Sequence, residues 1–140
     1  MQSTQPNLTQ PGILAAETKL ARYLAFTIDF EADVTETLES LVTYIDISNT
    51  LIGIGDSLVK FLGKDVPGLV PLPAQVGSGI EIPSTPTALW CWLRGSDRGV
   101  IFHRSRLIES MLVPAFALSY MIDSFQYDEN RDLSGYVDGP

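Results

Sequence analysis
The chain has a single cysteine, Cys91, and a single histidine, His103, in 140 residues. One thiol excludes an internal disulfide and any zinc site built from several cysteines, and it fits a reducing compartment. Cations are scarce too: 9 Lys and Arg face 17 Asp and Glu, for a net charge of −8. Phosphate recognition needs clustered Lys and Arg, so this balance argues against a nucleic-acid partner. It argues equally against docking on an anionic membrane surface. No apolar run approaches the roughly 20 residues of a spanning helix. The opening MQSTQPNLTQPG lacks both the basic start and the apolar stretch of a signal peptide. The expectation is a soluble, cytoplasmic chain with no membrane partner.

What is present is enough for a core. Hydrophobic residues make up 45% of the chain and charged ones 19%, the balance of one globular domain. Residues 1–12 are polar and broken by proline, which reads as an extended N-terminal arm. ARYLAFTIDF then alternates, with Leu24, Phe26, Ile28 and Phe30 on one side and Tyr23, Ala25, Thr27 and Asp29 on the other. DVTETLESLVTYI spaces Val34, Leu38, Leu41, Val42 and Ile45 as a helix, capped by Asp33 with Glu36 at the return position. NTLIGIG predicts a second strand, followed by a short helix over Leu58–Leu62 that Gly63 ends. Residues 63–86 collect most of the prolines and read as one long irregular connection. ALWCWLR predicts a third strand, Asp97–Leu112 a second long helix stopped by Pro114, and AFALSYMIDSFQY a fourth strand. In that fourth strand Phe116, Leu118, Tyr120 and Ile122 share one side.

The order β-α-β-β-α-β is the ferredoxin-like arrangement, an α+β fold with a four-stranded antiparallel sheet and helices on one face. The other face should then be polar, but the third strand is apolar on both sides. Trp90 and Trp92 lie opposite Leu89, Cys91 and Leu93, and neighbouring strands add Tyr23, Ala25, Ala117 and Met121. A face of that chemistry expects a cover.

Several residues invite chemistry. His103 suggests a metal ligand, but placing Ile101, Ser105, Ile108 and Leu112 inward turns it to solvent with Arg106 and Ser110. Cys91, in mid-strand, reads as a small buried hydrophobe rather than a nucleophile. GIGD, Gly53 to Asp56, lacks the lysine and third glycine of a phosphate loop and reads as a strand-to-helix turn. Arg94, Arg98, Arg104 and Arg106 read as solvated or paired with Asp and Glu. The C-terminal RDLSGYVDGP differs from a fraying end in one respect: Gly135 and Gly139 bracket Asp138 and permit close backbone approach to a ligand.

RDLSGYVDG resembles the GxxDG signature of the dye-decolorizing (Dyp-type) haem peroxidases. QPGIL, RYLAFTI, LIGIGDSL, STPTALWCWLR and FQYDENRDLSGYVDG follow that family's order and spacing, from Gln10 to Gly139. The resemblance is to the N-terminal half alone. It implies a ferredoxin-like domain over 13–130 and a haem-site loop over 131–140, with the chain truncated after it. It implies haem b as cofactor and hydrogen peroxide with a small reducing substrate as reactants. Asp138 would be the distal acid/base, and Gly135, Tyr136, Val137 and Gly139 would shape the loop against the cofactor. The proximal histidine and distal arginine are expected in a missing C-terminal half, so no metal ligand falls in this chain. The alternative reading is a ferredoxin-like module without cofactor that dimerises through its open sheet face. A cofactor-free oxygenase on the same fold has no sequence feature beyond fold class.

Overall fold
Chain order runs α1 (Pro11–Leu14), β1 (Leu20–Ile28), α2 (Val34–Tyr44), β2 (Thr50–Ile54), α3 (Asp56–Phe61), β3 (Gln75–Gly77), β4 (Ile80–Ile82), β5 (Leu89–Gly95), α4 (Arg98–Leu112) and β6 (Phe116–Phe125). These come from a computed structural model that describes residues 8–29 and 33–137. Phe30, assigned by alternation to the inner side of β1, lies outside the described residues, as do Asp138, Gly139 and Pro140. The main sheet has the order β2-β5-β1-β6 with every neighbouring pair antiparallel. That is the ferredoxin-like sheet, and α2 and α4 are its two long helices.

Alternation in β1 and β5 sorts the core from the open face. Leu24, Phe26, Leu89, Cys91 and Leu93 are buried with Val34 and Leu41 of α2, Leu58 of α3, and Ile101, Ile108 and Leu112 of α4. Ser105 completes the inner face of α4 as its spacing requires. Asp33 caps α2 by accepting from the Glu36 amide at 2.9 Å, and Asp97 caps α4 by accepting from the Val100 amide at 2.8 Å. Each cap satisfies an amide that has no partner inside the helix.

Several expectations are corrected. Val42 does not join the α2 core face: it is 67% exposed, because Thr37 takes the inner position beside Leu41. Residues 63–86 are not wholly irregular: β3 and β4 form a hairpin across Ser78 and Gly79, both at positive φ (52° and 77°). Such a two-residue turn matches the strand twist. The N-terminal arm is not simply extended, since Pro11 opens the one-turn helix α1.

The fourth strand does not keep one face. The pairing with β1 shifts between Ala25 and Phe26, so Leu118 faces Phe26 while Tyr120 faces Ala25, and Ser119 is the extra residue. A bulge of this kind reverses the alternation beyond it. Phe116 and Leu118 therefore lie on the helix side, while Tyr120 and Ile122 lie on the open side. Met121, paired with Leu24, lies on the helix side and does not belong to the open face.

Candidate functional site
The open face is built where β1 and β5 lie side by side. Tyr23 stacks on Trp90 with ring centroids 5.5 Å apart and planes 12° from parallel. Trp92 closes the cluster at 6.1 Å from Tyr23 and 6.2 Å from Trp90. Gly53, opposite Trp90 on β2, leaves room for that ring: a Cβ there would come within 3.3 Å of Trp90 Cε3. Tyr120 and Ile122 extend the surface along β6, and both are exposed. The indole nitrogen of Trp92 is buried without a hydrogen-bond partner.

Arg94 ends this cluster and is not solvated. It is 5% exposed and its guanidinium lies 4.9 Å from the Trp92 ring. It donates to the carbonyls of Gly12 and Ala16, the latter at 2.7 Å, so it clamps the N-terminal segment onto the sheet. Gln10 completes the clamp, donating to the Ile52 carbonyl at 2.8 Å and accepting from the Ile52 amide at 2.9 Å. Arg104 also serves carbonyls, those of Arg94 and Asn49. Of the four arginines expected to be solvated or paired with acids, Arg98 is exposed and Arg106 lies 3.6 Å from Glu109.

A cavity of about 610 Å³ opens where this clamp meets the end of β6, lined by Tyr23, Trp92, Arg94, Phe125, Gln126 and Asn130 among others. The segment after β6 leaves from its rim. The Gln126 amide donates to the Lys19 carbonyl at 2.8 Å, and Asn130 donates to the Glu17 carboxylate at 3.0 Å. Asp128, Glu129 and Asn130 all take positive φ, a tight reversal that leads directly into the glycine loop.

That loop has its own scaffold. Arg131 and Val137 pair as an antiparallel bridge, and the Asp132 amide donates to the Tyr136 carbonyl at 3.0 Å. Gly135 turns the chain at φ +89°, a conformation that favours glycine. Arg131 donates to the Gly135 carbonyl at 3.0 Å. Asp132 accepts from the Ser134 amide at 2.8 Å and from the Ser134 hydroxyl. The hydroxyl bond is the main cause holding the Asp132 carboxyl below the usual range. Asp132 therefore organises the loop, a role the sequence reading did not give it; an acid two residues before a serine beside glycine was the available signal. Leu133, Tyr136 and Val137 all project into solvent. Asp138 and Gly139, the remaining expected site residues, lie outside the described residues.

The other candidates stay apart from this region. His103 is exposed on the outer side of α4, edge-on to Phe102 at 5.8 Å. Cys91 is in the core, and burial pushes its thiol up to about 12. Gly53 to Asp56 make the β2-to-α3 turn, as expected. Gly55 is fixed there by crowding: a Cβ would lie 1.8 Å from the Thr87 carbonyl oxygen. Among the described residues no group of three or more His, Cys, Asp or Glu could hold a metal ion, and no helix is long and apolar enough to cross a membrane.

The described residues thus form a ferredoxin-like sheet with an aromatic open face and a glycine loop leaving from one end of it. No protein-family model matches the chain. Over 96% of its length, however, it is similar to the dye-decolorizing peroxidases, being 31% identical to the one from Mycolicibacterium paratuberculosis. It spans 41% of that relative. A structure from Shewanella oneidensis assigned to the Dyp-type peroxidases superposes with a TM-score of 0.82 at 24% identity, over 93% of this chain and 47% of the other. A DypB variant from Rhodococcus jostii, solved in complex with heme, superposes at 0.79 with 19% identity, over 92% and 47%. At those identities the two structures establish the fold.

The described residues fit haem on one side only. Leu133, Tyr136 and Val137 offer exposed apolar contact around a glycine with open space about it, which suits a flat porphyrin. They supply no axial nitrogen or thiolate, because His103 is on the far side of α4 and Cys91 is sealed in the core.

Proposed function
We propose that the chain is the N-terminal half of a Dyp-type haem peroxidase, using hydrogen peroxide to oxidise dyes or other small reductants. The observation that carries this reading is the glycine loop at 131–137, held open by its own hydrogen bonds at the cavity end of an aromatic sheet face. The similarity to dye-decolorizing peroxidases along nearly the whole chain, but over less than half of the relative, supports it.

Haem, when bound, supplies the redox chemistry. The chain supplies position and a proton relay. Asp138, next after Val137, takes a proton from one oxygen of hydrogen peroxide through its carboxylate and returns it to the other, which leaves as water. A single carboxylate can do this only within hydrogen-bond reach of both oxygens. Gly135 and Gly139 let the backbone approach the porphyrin closely, Tyr136 and Val137 bound the pocket, and Asp132 with Arg131 holds the loop in register. A histidine to hold the haem and a distal arginine would come from a C-terminal half, so the 140-residue chain alone should have almost no activity.

The test is reconstitution. The chain alone, titrated with haemin, should give no stable Soret band. The chain mixed with the C-terminal half of a related peroxidase should give one, together with peroxide-dependent dye oxidation. A colourless stable dimer in both cases would favour the cofactor-free module.

A further inference from the structure
Among the described residues, the hydrogen bonds that tie 126–137 to the rest of the chain both end on the N-terminal segment. One runs from the Gln126 amide to the Lys19 carbonyl, the other from the Asn130 side chain to the Glu17 carboxylate. The second falls where the backbone most needs support. Asp128, Glu129 and Asn130 stand in succession at φ 34°, 56° and 65°. Left-handed residues ordinarily occur singly, and Asn and Asp tolerate the region better than Glu does. Three in a row persist only where the surroundings over-determine them.

Inside the turn, the Arg131 amide donates to the Tyr127 carbonyl at 3.0 Å, and the Gln126 side chain donates to Asn130 Oδ1. Glu17 supplies the hold from outside, accepting from Asn130 Nδ2 at 3.0 Å across 113 residues of sequence. Both polar atoms of the Asn130 side chain are then fixed. The next residue, Arg131, opens the bridge with Val137 that closes the glycine loop. We propose that Glu17 is a positioning residue of the glycine loop: it fixes the root from which 131–137 project and, through them, the place of Asp138. The step to Asp138 rests on the haem reading, whereas the anchoring of the loop does not.

Both partners are exposed, and an exposed pair usually contributes little because two free side chains must be ordered. Glu17 differs because its backbone is fixed on either side. The Ala16 carbonyl accepts from the buried Arg94 at 2.7 Å. The Thr18 hydroxyl accepts from the Gly95 amide at 3.2 Å and donates to the Leu20 carbonyl at 2.9 Å. The carboxylate is therefore presented from a fixed frame, and a charged acceptor makes a stronger bond than a neutral one. Through Ala16 and Glu17 the Arg94 clamp transmits the position of β5 to the loop.

The experiment is amide hydrogen exchange on the chain and its variants. The Asp132 and Gly135 amides donate to the Tyr136 and Asp132 carbonyls within the loop. In Glu17→Ala they should exchange about 5-fold faster, the equivalent of one hydrogen bond of about 1 kcal/mol, while the amides of β1 keep their wild-type rates. Glu17→Gln keeps an acceptor oxygen and should restore slow exchange. In an Asn130→Ala background, Glu17→Ala should add nothing, as expected for two residues that act through one contact. In the haem-loaded, two-half protein, Glu17→Ala should keep the resting Soret band and slow the reaction with peroxide. Wild-type loop exchange in Glu17→Ala, no rescue by Glu17→Gln, additive effects in the double variant, or a wild-type peroxide rate would overturn the proposal. A two-half wild type without a Soret band would count against the haem reading instead, and loop exchange would then decide this proposal.

Discussion

Arg22 stands at a position where strand alternation calls for an apolar side chain, and it is buried there. Its guanidinium makes two bonds to Asp123, at 2.7 and 2.9 Å, and a third to the Ser105 hydroxyl at 3.0 Å. It ties β1 to β6 and to α4. Asp123→Ala should cost about 2 kcal/mol by chemical denaturation, less than a fully buried pair because the Asp123 side chain is 42% exposed. The bond from Arg22 holds the Asp123 carboxyl below its ordinary value. Its stabilisation is therefore complete above the unfolded value of about 4 and is lost as pH falls through the folded one. Asp123→Asn should flatten the acid limb of a stability-versus-pH curve, and an unchanged limb would contradict the pairing. Gly55→Ala should destabilise by about 3 kcal/mol, since the Thr87 carbonyl must move and the 2.8 Å bond from the Gly55 amide to the Ala88 carbonyl goes with it. At this scale the sequence was informative wherever one element decided the outcome. The outward turn of His103 follows from helical phase alone, and His103→Ala should leave the spectrum of any haem-loaded protein unchanged. Arg94 was not legible, because its partners are backbone carbonyls 78 to 82 residues away.

Elements show the same division between local and distant causes. The caps at Asp33 and Asp97 need only the next few residues and were readable. The hairpin of β3 and β4 had a serine-glycine turn signal, but the surrounding prolines hid it. The bulge in β6 had no local signal: Phe116 to Ile122 alternate without interruption, and only pairing with β1 forces the shift at Ser119. Deleting Ser119 should remove the unpaired residue and keep both flanking registers, Leu118 with Phe26 and Tyr120 with Ala25, so Asp123 still meets Arg22. Asp123→Ala should therefore destabilise the deletion variant in denaturant as it does the wild type. No effect of Asp123→Ala in that background would mean that Ser119 is not the extra residue.

The whole molecule presents one core and one open aromatic face. With Met121 removed from that face and Tyr120 and Ile122 added, the surface around Trp90 remains large enough to expect a cover. The isolated chain should bind a hydrophobic dye, and a partner half should displace it. An isolated chain that binds no dye would contradict the open face. The resemblance to dye-decolorizing peroxidases was legible from short motifs, because the glycine loop and its Arg-Asp-Leu prefix are local. The most direct test of the account is stopped-flow measurement of the rate at which hydrogen peroxide changes the Soret band of the haem-loaded, two-half protein. Asp138→Ala and Asp138→Asn should both keep the resting band and slow that rate by on the order of 10²–10⁴-fold, the usual contribution of a positioned acid–base group. A wild-type rate in both variants would show that Asp138 does not move the proton and that the central claim is wrong.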